Sequence, residues 1–430
     1  MPGISDIAKA ASHPLNPRFS EALMKLRNQL LALFCLVVFA VFGWLYVRTW
    51  VVQKPFGIIL FVSDSMVARH LTAARLYEGG AGHRLTIEAL PHLALVRNSA
   101  NDFAVPDAAA ASTAIATGHK ANHRALGMDP QGRSLPTLLE LAHRKGRATG
   151  LVSNGPLAGP SAAAFFAHHP DARETATLAK LLTSLTDLDV VLGGGGADFL
   201  PAGKDGQRAD GRDLLAELRR TGRQVVATRA ELEDASASGE HGILGVFSPG
   251  PLAFSNETAS GTTQPTLPDM VRRAIEFMQT SRSGYVLVVD ASLATMAAER
   301  NEGERLIAET VALDHAIATA QKYAGEKSLI IAVGKHATGG MTLNGYPLRQ
   351  DHGVALIGTN ASGQPAIAWT TGPNGPQPPE APKTEPAAFH VPSALNSAED
   401  VLAAGKGDGA EKLRGFIENT AIFEILRDAL

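Results

Sequence analysis

Four residues with chemistry to offer stand at or just beyond the ends of apolar, β-branched runs. Asp64 follows FGIILFV (56–62), Asp290 closes YVLVVD (285–290), and Lys335 and His336 follow SLIIAVG (328–334). Runs of that composition read as strands buried on both faces of a parallel sheet, and ligands of such sheets sit outside the carboxyl ends of the strands. Two carboxylates, an ammonium and an imidazole converging on one sheet edge would form a polar constellation where a ligand could sit. Sequence order alone leaves the alternative open that these are unrelated solvated loop residues.

The elements that would position them alternate along the chain. ATGLVS (148–153) and DVVLGG (189–194) are further candidate strands, and helical patterns fall between strands, as in LPTLLELAHRKG (135–146) and ERLIAETVALDHAIATAQKYAG (304–325). This alternation predicts an α/β fold, a mainly parallel sheet sandwiched by helices. The GGGG run at 193–196 lacks G-x-G-x-x-G or G-K-[ST] spacing, so it reads as a tight strand exit and not as a nucleotide loop. Between 359 and 392 the composition turns to Pro, Gly and small residues (TTGPNGPQPPEAPKTEP), which predicts a surface excursion outside the core.

Hydrophobic content of 45% and charged content of 19% suit a globular domain with a sizeable core, and a net charge of -3 over 430 residues argues against a nucleic-acid surface. The stretch Leu30–Val47 carries no charge across 18 residues, close to the roughly 20 that span a bilayer. It reads as a transmembrane helix, and its single cysteine, Cys35, can make no intrachain disulfide. Trp44, Tyr46 and Trp50 would form an aromatic belt at one end; Arg18, Lys25 and Arg27 before the span favour a cytoplasmic N-terminus, while Arg48 and Lys54 after it weaken that bias. A cleaved signal peptide is the competing reading, disfavoured by the long polar leader and the lack of an A-x-A-like site after the apolar run. The predicted organisation is a cytoplasmic segment at 1–28, an anchor at 29–52 and a main domain at 53–430, periplasmic or extracellular on an inner or cell membrane.

Three segments carry a resemblance to a known family: FGIILFVSDSM (56–66), VPDAAAASTAIATGHKANHRALGMDPQGRSLPTLLELAHRKGRATGLVS (105–153) and SAEDVLAAGKGDGAEKLRGFIENTAIFEIL (397–426). In that order they resemble the opening strand, nucleophile helix and closing segment of the alkaline phosphatase family, with DVVLGGGGADFLP and GKHATGGMTLNGY as further matches. The resemblance implies a phosphomonoesterase with two zinc ions and one magnesium ion. A serine attacks phosphorus, a phosphoserine forms, and an arginine braces the phosphoryl oxygens.

Carried over residue by residue, the resemblance meets substitutions. The family's D-S-A triplet reads Asp107, Ala108, Ala109 here, so the attacking hydroxyl is absent. Ser112 and Thr113 lie about 6 Å further along a helix at roughly 1.5 Å per residue, too far for in-line attack. The first zinc position reads Thr295, Glu299 and Asn396, of which only Glu299 is a good ligand, with His352 and His390 as nearby alternatives. The second keeps Asp64 and His336, but Lys335 replaces the aspartate of an A-D-H motif; an ammonium has no lone pair for a metal and brings a compact charge of its own. The magnesium position keeps most, with Asp64, Ser161 for a hydroxyl ligand and Asp290 for the family's glutamate, an oxygen set that suits Mg²⁺. The bracing arginine corresponds to Arg173, offset by one residue.

Two expectations follow. One is a membrane-anchored protein with a degenerate phosphatase site, its zinc lost and magnesium the one ion its ligands suit. It would act as a non-catalytic binding or assembly module, with a phosphate ester or a protein in a membrane complex as partner. The other is a metal-dependent phosphate or sulfate ester hydrolase rebuilt around Asp64, Ser161, Asp290, Glu299 and His336.

Overall fold

The computed structural model describes residues 17–46, 56–64, 66–185, 187–236, 242–258, 262–344, 363–377 and 383–430, and the chain divides into two units, Met1–Lys54 and Pro55–Leu430. In the first unit the helix Pro17–Tyr46 contains a stretch from Met24 to Tyr46 long and apolar enough to cross a membrane. All but one of its described apolar side chains from Met24 to Tyr46 are exposed, Phe39 at 81%, and Val38 is half-buried. Residues 47–52 of the expected anchor, Trp50 among them, lie outside the described residues.

The second unit is built on strands β1 (Gly57–Ser63), β2 (His92–Arg97), β3 (Ala148–Pro156), β4 (Val190–Gly194), β5 (Gln224–Val226), β6 (Ile243–Val246), β7 (Tyr285–Ala291), β8 (Leu329–Gly334), β9 (Ala337–Thr338), β10 (Thr342–Leu343), β11 (Ile367–Gly372), β12 (Ala387–His390), β13 (Asn396–Ser397), β14 (Val401–Lys406) and β15 (Arg414–Glu418). Ten of them form one sheet in the order β15-β2-β14-β8-β1-β7-β3-β4-β6-β5. Only β14 runs antiparallel to its neighbours β8 and β2. The expected α/β architecture is therefore the observed one.

Alternation along β1 explains the two-sided core. Ile59 and Phe61 point into one apolar cluster with the helices Leu267–Met278 and Gly303–Tyr323. Ile58, Leu60 and Val62 point into the other, with the helices Leu138–Arg144 and Asn419–Asp428. Each such side chain buried contributes roughly 1.5–3 kcal/mol, so a strand apolar on both faces is pinned at the middle of the sheet. The helix expected over 135–146 is shorter, because Thr137 caps it in a capping box with Glu140 and Gly146 leaves it at φ +71.

One expectation is corrected. The stretch 359–392 is not simply a surface excursion: β11 and β12 pair with each other, β11 pairs with β10, and Ile367, Trp369 and Ala387 are buried in the core. The indole of Trp369 donates to Glu385 at 3.1 Å, which satisfies its one polar atom. Burial of the β11 apolar positions outweighs the turn-rich composition around them.

Candidate functional site

Strand order, not sequence order, assembles the site. β8, β1, β7 and β3 are consecutive neighbours, and their ends are level: Ser63 pairs with both Gly334 and Ala291, and Asp290 with both Val62 and Ser153. Asp64, Asp290, Lys335 and His336 thus leave the same edge of the sheet, and all four are buried.

Their side chains meet. Lys335 Nζ donates to Ser161 Oγ at 2.7 Å and lies 3.8 Å from Asp64 Oδ1. His336 Nδ1 lies 3.3 Å from the same Asp64 oxygen. Burial pushes the His336 imidazole down to about 4, opposed by the charge of Asp64 and helped by that of Lys335. The Thr338 hydroxyl sits 3.4 Å from Asp64 Oδ2, 3.2 Å from His336 Nδ1 and 2.9 Å from Asn396 Oδ1, and Asn396 in turn donates to the Pro106 carbonyl at 3.0 Å. This chain of contacts brings Asn396 to the cluster and ties it to the start of the helix Ala108–Thr117.

Asp290 Oδ2 accepts from Ser153 at 2.8 Å and from Ser292, while its Oδ1 is buried without a hydrogen-bond partner. Burial raises its carboxyl above the usual range, and Lys335 opposes that rise. Glu299 closes the helix Leu293–Glu299; burial and then the charge of Asp64 raise its carboxyl as well. Thr295, on the same helix, is buried with an unpartnered hydroxyl.

Ala108 is the first residue of the helix Ala108–Thr117, directly after the N-cap Asp107. Both carboxylate oxygens of Asp107 are committed, one to Ala110 N at 2.8 Å and one to Arg124 N at 2.7 Å. Thr113 is also committed: its hydroxyl donates to the Ala125 carbonyl at 3.0 Å and accepts from Gly127 N at 3.2 Å. Ser112 is fully buried.

Other expected residues are not joined to the cluster. Arg173 is exposed, with its described hydrogen bonds all to the Asp171 carboxylate, while Ala172 beside it is buried. His390 is exposed and hydrogen-bonded to Gln377. His352 lies outside the described residues. Residues that sequence reading passed over are Thr338, Ser153, Ser292 and His70, whose Nδ1 is 3.2 Å from the Asp64 carbonyl. Thr338 could have been found, since alternation puts it on the same face as His336.

Among the described residues no three His, Cys, Asp or Glu side chains are arranged to hold a metal ion, and the buried Lys335 ammonium stands between two would-be ligands.

A large, mainly parallel sheet with buried polar side chains gathered outside its strand ends defines an α/β protein whose ligand site lies at that edge. The alkaline phosphatase family model matches residues 57–374, and the chain belongs to that family. Alkaline phosphatase H of Pseudomonas aeruginosa is 29% identical over 428 residues, covering 88% of this chain and 86% of that one. Alkaline phosphatase 4 of Bacillus subtilis is 30% identical over 263 residues, which span 60% of this chain and only 54% of that relative. Among solved structures, a variant of the alkaline phosphatase from the Antarctic bacterium TAB5, with magnesium bound, superposes at a TM-score of 0.68 over 87% of this chain and 98% of that one, at 21% identity.

Proposed function

We propose that this chain is a membrane-anchored alkaline-phosphatase-like protein that does not hydrolyse phosphomonoesters and serves as a binding or assembly module on the far side of the membrane. The observation that carries this reading is Ala108. A methyl group stands on the first residue of the helix where the family's attacking hydroxyl belongs, and it can neither attack phosphorus nor ligate a metal. No neighbour takes over: Asp107 and Thr113 are committed to backbone groups, and Ser112 stands about one helical turn, roughly 6 Å, further along the helix. The arginine that would brace a phosphoryl group is also diverted, since Arg173 is held by Asp171 at the surface. The candidate ligands are a phosphate-bearing molecule or a protein in a membrane complex.

The test uses the full chain purified in detergent, assayed for hydrolysis of p-nitrophenyl phosphate and p-nitrophenyl sulfate from acid to alkaline pH with added zinc and magnesium. The expected result is no turnover above buffer. Turnover that disappears in Asp64→Ala would overturn the reading.

One observation favours a rebuilt hydrolase instead: Asp290 Oδ1 and His336 Nε2 are buried without hydrogen-bond partners, which leaves them available to a ligand. That reading needs metal-activated water in place of a serine. Its mark would be stoichiometric metal together with the Asp64-dependent turnover just described.

A further inference from the structure

Lys335 is 1% exposed, and lysine is almost never fully buried unless it is paired. Its ammonium reaches the two side chains that the family pattern assigns to a divalent ion, Ser161 at 2.7 Å and Asp64 at 3.8 Å. The charges of Asp290 and Glu299 also act on it. A magnesium ion on Ser161 Oγ at its usual distance of about 2.1 Å would stand no more than roughly 5 Å from Nζ, two positive centres close together in a site with little water to screen them. At the same time Asp290 Oδ1, Thr295 Oγ1 and His336 Nε2 are buried without hydrogen-bond partners. The cluster therefore keeps ligand atoms while one residue supplies the opposing charge.

We propose, resting on the reading of this centre given above, that Lys335 is its resident cation: the ammonium replaces a divalent ion between Ser161 and Asp64, the domain folds without metal, and a divalent site lies latent beneath the side chain. Loss of Lys335 opens that site. Restoring a carboxylate at this position completes it, because Asp64 and His336 already meet there and Asp290 stands at the end of the neighbouring strand.

The experiment compares the full-length wild type with Lys335→Asp and Lys335→Ala, all in detergent, by elemental analysis and by thermal unfolding in EDTA, magnesium or zinc. Wild type should contain metal far below one ion per chain, and its Tm should be unmoved by EDTA or by either ion. Lys335→Asp should take up metal and gain roughly 3 °C or more in Tm at an ion concentration about 100-fold above its dissociation constant. If Lys335→Asp does not fold, Lys335→Ala gives the same comparison with no added charge. Stoichiometric metal in wild type, a Tm that falls in EDTA, or folded variants that take up no metal would each overturn the proposal. Metal in wild type without turnover overturns this proposal and leaves the non-catalytic reading standing; turnover by metal-free wild type does the reverse.

Discussion

Lys335 Nζ and Ser161 Oγ lie 2.7 Å apart, both side chains buried, although 174 positions separate them in the chain. The contact joins the end of β8 to the short helix Pro160–Ala163 that follows β3, across two intervening strands. It fixes a positive charge next to Asp64, whose side chain is wholly inside.

Removing that charge should cost stability. Lys335→Met keeps the length of the side chain but leaves Asp64 uncompensated, and breaking a buried pair from one side costs about 3 kcal/mol or more. Urea unfolding should show a lowered midpoint, with much of the loss recovered in the Lys335→Met, Asp64→Asn double variant. A single variant as stable as wild type would show that Asp64 does not depend on Lys335.

Ala108→Ser should remain without phosphatase activity. The hydroxyl would return, yet the proposed reading puts Thr295, Lys335 and Asn396 at positions that the resemblance assigns to metal ligands. The substitution falls on the first turn of a helix, so stability should change by no more than about 0.5 kcal/mol. Strong p-nitrophenyl phosphate hydrolysis by this variant would refute the alignment of those positions.

Glu309 should impose a pH dependence on folding. Its carboxylate is buried, accepting from Ser255 N at 2.6 Å and Asn154 Nδ2 at 3.0 Å, and burial pushes the carboxyl up to about 7 from 4.5. Between those values the folded state keeps a proton that the unfolded state has lost. Stability is therefore fullest below the lower value and falls as pH rises through the upper one, by about 3 kcal/mol in all. Glu309→Gln should flatten this fall between pH 5 and pH 8, as read by denaturant midpoints; slopes equal to wild type would assign the dependence to another group.

The apolar helix should hold the protein in the membrane. Full-length protein is expected to stay with membranes after an alkaline carbonate wash, and a chain lacking residues 1–54 to be soluble and folded, because the second unit has its own core. Mature protein whose N-terminal sequence begins beyond Tyr46 would identify the helix as a cleaved signal.

Much of the scaffold was legible in the chain. The strands at 57–63, 148–156, 190–194, 285–291 and 329–334 fall within a few residues of the apolar runs that predict them, since strands buried on both faces need continuous Val, Ile and Leu. The helix bounds were less legible, because caps such as Thr137 and the turn at Gly146 decide where a periodic pattern stops. The segment containing Ile367 and Trp369 was misread because proline and glycine punctuate the chain around short strands whose burial depends on what packs over them.

The sequence by itself determined the apolar helix, the alternation of strands and helices, and the methyl group at Ala108. Each is a local property, the length of an apolar run, the period of a pattern or the chemistry of one side chain. Only the tertiary structure decided that Lys335 turns inward onto Ser161 and Asp64 while Arg173 turns outward onto Asp171. Those choices depend on β8, β1, β7 and β3 lying side by side and on side-chain directions, and neither is written in the spacing of residues along the chain.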